Sequence, residues 1–288
     1  MSADIPAAAD PLFTPGEPIL KDTIAEMTYG AVEAAAKRGA VALWAFGVVE
    51  QHGPHLPTGT DIYIPSARLR IVRKLLARDG IEALIVPPFY WGVNHVSASF
   101  PASFKVRPEV MIELMADVIA SLGGDGFRRL FCVSGHGDAD HNRAVFRGVE
   151  KGSTPGRIEA AFVADDALFA RIGVDATSPH ALATIPQPNP TPPPPFADVH
   201  AGDWETSLML ALNPEVVHAD RIADLAPTNL SEDDLAEWRK GHDHARRVTP
   251  DGYLGDPASA SAERGASDIV RDARAIADAI RLRLAGER

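Results

Sequence analysis

The sequence predicts an α/β fold whose central sheet is mostly parallel and covered on both faces by helices. Three observations predict it. Short runs that are apolar or nearly so recur at residues 40–46, 83–86, 129–133 and 158–163, the pattern of strands buried on both faces. Longer segments with helical spacing separate them. Glycine and proline punctuate the boundaries, and strands alternating with helices assemble into parallel sheets.

Taken in order, residues 23–38 are rich in Ala, Glu and Met and predict a helix stopped at Gly39. The strand at 40–46 follows, then a helix over 62–78 in which Ile64, Ala67, Ile71, Leu75 and Leu76 share a face. The strand at 83–86 closes on Pro87-Pro88, and a helix over 108–122 starts with proline in its first turn. The strand at 129–133, a helix at 141–151 and a strand at 158–163 complete the regular part. After Arg171 the alternation fails: seven of the ten residues 186–195 are proline, which lacks an amide donor and fixes φ. Such a stretch is either a stiff connector or a functional loop. Because it leads directly into Asp198-Val-His-Ala-Gly-Asp-Trp-Glu-Thr-Ser207, the loop at 184–197 is expected to cover a site or a subunit boundary. Helices at 204–212, 232–246 and 266–284 follow, and residues 1–288 read as one domain.

Composition bounds the partners. Hydrophobic residues make up 45%, ample for a large core, and 28 basic residues face 39 acidic ones for a net charge of -11. No dense Lys/Arg run is present, which argues against nucleic acid or an anionic membrane as a partner. Cys132 is the single cysteine and is expected in a buried strand; no internal disulfide can form. Residues 1–16 lack a basic start followed by an apolar run, and no apolar stretch approaches the ~20 residues that span a bilayer. A cytoplasmic protein is expected.

The chemistry concentrates in three clusters. In Glu50-Gln-His-Gly-Pro-His-Leu-Pro-Thr-Gly-Thr-Asp61, Glu50 and His52 lie two apart just past the first strand, so on extended chain they point the same way. The turn-rich 53–59 stretch allows Asp61 to fold back beside them. Carboxylate and imidazole together suit Zn²⁺ or Mn²⁺, and a carboxylate can bridge two ions in a hydrolytic site. The second cluster, Ser134-Gly-His-Gly-Asp-Ala-Asp-His-Asn142, places His136 at the same carboxyl edge of the sheet, where ligands collect. The third holds His200 and Glu205 at a helix entry, with Asp203 expected as a helix cap.

These three segments, with Gly252-Tyr-Leu-Gly-Asp-Pro257 and Ala262-Glu-Arg-Gly265, together resemble the creatininase (creatinine amidohydrolase) family from about Gly39 to the last helix. The resemblance implies a three-layer α/β/α domain, assembly into hexamers, and a centre of two divalent ions, zinc or manganese, with iron as a further candidate. It implies that Glu50 and His52 each hold one ion, that Asp61 bridges them and that His136 completes the first. His200 would move protons, and Glu205 would belong to the metal site or its immediate support. Asp138 falls where creatinine hydrolases carry a glutamate ligand, with Asp140 and His141 as rivals. The aromatic residue that closes over creatinine falls on Phe196; Trp204, His95 and Trp91 complete the expected substrate contacts.

Departures from the family pattern around Asp138, Phe196 and Phe100-Pro-Ala-Ser103 argue against creatinine itself. The reaction expected is hydrolysis at a polarised carbonyl of a small, polar, cyclic substrate, by amide C–N or ketone C–C opening. Removal of a formyl group, peptide trimming and a non-catalytic metal-binding assembly protein are the alternatives. No Gly-x-Gly-x-x-Gly or phosphate loop follows the first strand, which counts against a nucleotide-binding protein.

Overall fold

Regular elements in chain order are α1 (Tyr29–Lys37), β1 (Val41–Phe46), α2 (Thr60–Arg78), β2 (Ala83–Phe89), α3 (Pro108–Gly124), β3 (Arg129–Ser134), α4 (Ala139–Gly152) and β4 (Glu159–Ala164). They continue with α5 (Asp166–Ile172), β5 (Ala181–Ala183), α6 (Asp203–Leu212), α7 (Ala219–Ile222), α8 (Glu232–Trp238), α9 (Asp243–Val248) and α10 (Ala262–Gly286). The computed structural model describes residues 11–189, 192 and 196–286.

The five strands pair in the order β2-β1-β3-β4-β5, and every pairing is parallel. Alternation along β1 feeds two cores: Ala42, Trp44 and Phe46 pack with α1, α3, α4 and α5, while Val41, Leu43 and Ala45 pack with α2, α6 and α10. Each fully buried Leu, Ile or Phe contributes about 1.5–3 kcal/mol, so both faces of the sheet are strongly held. The result is a three-layer α/β/α architecture. From β1 the chain turns outward to β2 in one direction and through β3 and β4 in the other. The carboxyl ends of β1 and β3 therefore flank the point where the winding reverses, which opens a crevice there.

Several expectations need correction. The helix expected over 23–38 is interrupted: a 3-10 turn, Ile24–Glu26, precedes α1, whose N-cap Thr28 accepts a hydrogen bond from Ala31 N. Strand β2 runs on through Pro87 and Pro88, tolerated because β2 is an edge strand whose ladder bonds run to β1 on one side. The helix expected over 232–246 is two helices, broken where Gly241 and His242 take φ of 74° and 51°. Helix α5 and strand β5 were not foreseen, being too short to express a period. Cys132 is buried in β3, as expected.

The proline-rich stretch is described only in part, with residues 190, 191 and 193–195 outside the described residues. Where described, its start lies along α10, with Ile185 N donating to Ala275 O and Gln187 Nε2 to Asp278 Oδ2. Among the described residues no helix is long and apolar enough to cross a membrane.

Candidate metal centre

The loop after β1 turns back on itself because Glu50 N donates to Thr58 O at 3.0 Å and Thr60 Oγ1 to Pro57 O at 2.8 Å. This brings Asp61, in the first turn of α2, beside Glu50 and His52. Gly135 N donates to Phe46 O at 2.8 Å, which aligns the loop after β3 and carries His136 to the same place. His200 arrives on extended chain paired with Leu254, and Glu205 on the first turns of α6.

Three buried donor groupings result: Glu50, Asp61 and His136; His52, Asp61 and Glu205; and Glu50, His52 and His200. His136 Nδ1 lies 2.8 Å from Asp61 Oδ2 and 3.1 Å from Glu50 Oε1. His52 Nε2 lies 3.3 Å from Asp61 Oδ1 and 3.7 Å from Glu205 Oε2. Partners outside the cluster orient these groups. His52 Nδ1 sits 3.1 Å from Glu50 O, so the carbonyl accepts a hydrogen bond from Nδ1–H and leaves Nε2 facing the carboxylates. Glu50 Oε2 accepts from Asn94 Nδ2 at 3.1 Å and from Ser97 Oγ, which leaves Oε1 for the centre. Glu205 Oε2 accepts from Ala201 N at 2.6 Å.

The donors fit divalent cations. Among the described residues His52 Nε2 and Asp61 Oδ2 are buried and make no well-aligned hydrogen bond, meeting only other members of the cluster, an arrangement that costs free energy unless an ion satisfies them. Burial alone would lower His52, but Asp61, Glu205 and Glu50 outweigh it and hold the ring at about 10. The field that raises an imidazole so far is equally a field for a metal ion. Burial pushes Glu205 up to about 7, and burial with His52 pushes His200 down to about 4.

Asp138 is placed differently from the expectation. It is the N-cap of α4, with Oδ1 accepting from Asp140 N and His141 N and Oδ2 accepting from His95 N and Val96 N. Four amides occupy both oxygens, and Asp138 belongs to none of the donor groupings. Its rivals fare no better: Asp140 pairs with Arg143, and His141 packs edge-on against His136, held at about 3 by burial and by that neighbour. Replacing Asp138 by alanine is expected to cost about 1–2 kcal/mol in a denaturant titration, as for other lost N-caps, without changing metal content. Loss of bound metal at full stability would reverse that assignment.

A cavity of about 710 Å³ opens over Glu50, Asp61, His136, His200 and Glu205, with His95 on its wall. Phe196 and Trp91 do not line it; Trp91 instead stacks on Phe104 at 5.8 Å. The aromatic lining residue is Trp238, its ring 5.7 Å from that of His200. Trp204 lines an adjoining cavity of about 400 Å³. His95 Nε2 sits 3.0 Å from Lys240 O, which ties its loop to the turn that follows Trp238 at the end of α8. Asp203 is the first residue of α6 and not its cap; Asp198 Oδ2 accepts from Asp203 N at 2.9 Å in that role. Sequence reasoning missed Asn94, Ser97, Gln51 and Trp238, none of which lies in a metal-ligand spacing.

Known proteins align with this arrangement. A family model described as creatinine amidohydrolase (Creatininase) matches residues 25–280. The chain is 28% identical over 264 residues to the creatinine amidohydrolase of Pseudomonas putida, covering 90% of this chain and 95% of that one. It is 31% identical over 224 residues to the mycofactocin precursor peptide peptidase of Mycobacterium ulcerans (strain Agy99), covering 76% of each. Among solved structures, the manganese form of creatininase has the same fold at TM-score 0.66 and 23% identity, covering 91% of this chain and 98% of the other. Fold, site and relatives together define a metal-dependent hydrolase. The chain belongs to the creatininase family.

Proposed function

We propose that the chain hydrolyses an amide bond of a small polar substrate at a centre of two divalent ions that share Asp61. The observation that carries this reading is the membership of Asp61 in two donor groupings at once. Glu50, Asp61 and His136 would hold one ion, and His52, Asp61 and Glu205 the other. Zinc or manganese, with iron as a further candidate, would supply Lewis acidity and lower the pKa of water towards ~7. The hexameric assembly implied by the resemblance belongs to the same reading.

His200 is the group placed to move a proton. Its Nδ1 lies 3.7 Å from Glu50 Oε1, while its Nε2 meets both Gln51 O at 2.9 Å and Gln51 Nε2 at 3.0 Å. The carbonyl accepts from a protonated Nε2 and the side-chain amide donates to a bare one, so Gln51 supports either tautomer. A ring supported in both states can take a proton at Nδ1 and return it to a leaving nitrogen. Trp238 covers that ring and limits the entry of bulk water.

A second reading, removal of residues from a peptide, is favoured by one feature. The adjoining cavity shares His136, Glu205 and Val199 with the first, so an extended substrate could pass the centre on both sides.

The test is to measure metal content and then turnover of creatinine, other cyclic amides, formamides, dipeptides and cyclic ketones, with and without chelator. Two ions per chain are expected, with turnover lost on chelation and restored by zinc or manganese. His52, at about 10, and His136, also raised, hold protons in the ion-free chain. Ion binding is therefore expected to release protons in calorimetry and to weaken as pH falls. Undiminished turnover by an ion-free chain rejects the reading.

A further inference from the structure

The chain carries a net charge of -11, yet Arg143, Arg171 and Arg239 line the cavity over the candidate centre. Arg143 is paired, its Nη1 2.6 Å from Asp140 Oδ1. Arg171 and Arg239 are not: among the described residues neither has a carboxylate oxygen within 4.0 Å. Arg171 is held in place by Nη1, which donates to Gly137 O at 2.8 Å, on the loop that carries His136. Arg239 follows Trp238 at the end of α8, so the ring over His200 and the second guanidinium arrive on one turn.

Asp138 and Asp165 attract Arg171 from nearby, but neither forms an ion pair with it and each accepts from backbone amides. Asp138 accepts from four amides, and Asp165 caps α5 by accepting from Leu168 N at 2.7 Å. Burial and the nearness of Arg239 both push Arg171 down, as expected of two like charges facing one space. A rigid fork of N–H donors matches the oxygens of a carboxylate or a phosphate, and two forks lining one cavity suit an anionic group.

We propose that Arg171 and Arg239 form an anion clamp, and that the substrate carries a carboxylate or phosphate monoester separated from the amide that lies at the Asp61 centre. The proposal rests on the hydrolytic reading above for the amide. Its charge selectivity can be measured separately. A neutral substrate would leave both guanidinium groups without an ion-pair partner in the cavity.

The experiment compares matched amides on the metal-loaded protein: N-acetylglycine against N-acetylglycinamide, and N-acetylethanolamine phosphate against N-acetylethanolamine. Both kcat/KM and calorimetric affinity are recorded. The anionic member of a pair is expected to exceed the neutral one by about tenfold or more, chiefly through KM, as charge-assisted bidentate contacts would give. The carboxylate and phosphate arms identify which anion fits. In Arg239→Gln and Arg171→Gln the charged-to-neutral ratio is expected to fall towards one, with partial recovery in Arg239→Lys. High salt should shrink the ratio in the wild type. Anion binding to the metal alone would survive both glutamine variants, so an unchanged ratio in both overturns the clamp. A wild-type ratio near one does the same. Should no amide in the panel turn over, the hydrolytic reading fails for these compounds while calorimetry still decides the clamp. Charge-selective binding removed by Arg239→Gln upholds it, and equal binding of the paired compounds overturns it.

Discussion

Replacing Asp61 by asparagine is expected to reduce turnover by about 10³-fold or more and to remove more than one equivalent of bound metal, with the fold retained. Asp61 is the carboxylate common to two donor groupings, so neutralising it weakens both at once. Groups that merely support a ligand cost about 10–100-fold when lost, and a shared ligand should cost more. The fold should survive because the backbone of Asp61 lies in the first turn of α2 and packs against Gly47 and Gly135, just past β1 and β3, contacts that do not use the carboxylate. Glu205→Gln supplies the comparison: it touches one of the groupings through Asp61 and His52, and should release a single ion. Metal analysis and steady-state kinetics on both variants check this. An Asp61→Asn chain that keeps two ions and turns over within about tenfold of the parent would remove the basis for a shared ligand.

Gly47→Ala is expected to destabilise the chain by about 3 kcal/mol or more, at or beyond the upper end for overpacking, because backbone cannot swing aside as a side chain can. A Cβ on Gly47 would stand 2.1 Å from Asp61 O, and one on Gly135 would stand 2.6 Å from the same oxygen. Neither glycine has a positive φ, so the requirement is purely steric. The two glycines leave the ends of β1 and β3 bare, and the first turn of α2 seats against them. That seating fixes where the Asp61 carboxylate points. Gly30→Ala in α1 is the control: nothing lies within 4 Å of its Cβ, and alanine in a helix should stabilise by about 0.5–1 kcal/mol. Denaturant midpoints measure both. A Gly47→Ala midpoint equal to the parent's would mean that α2 is free to shift, and that Asp61 is not held by this contact.

The strands and most helices were legible because burial on two faces leaves an unbroken apolar run and burial on one face leaves a helical period. Glu50, His52, Asp61, His136, His200 and Glu205 were legible as a set because each cluster sits at the end of a predicted strand or the start of a helix. What failed has identifiable causes. Asp138 was expected as a ligand because N-caps and metal ligands draw on the same residue types, and only the directions of four amides separate the two roles. Phe196 was expected over the site because the resemblance aligns it with the aromatic residue that closes over creatinine, whereas space brings Trp238 there from α8. Trp91, though near the sheet edge, spends its ring on Phe104.

By itself the sequence determined a parallel α/β sheet and a cluster of acid and imidazole side chains at its carboxyl edge, because periodicity and short-range spacing are local and survive in a linear string. Tertiary structure alone decided which oxygen of Glu50 faces the centre, which ring packs beside His200, and that Arg171 and Arg239 face one cavity without ion-pair partners among the described residues. Those outcomes depend on distances between segments remote in the chain, and packing sets such distances.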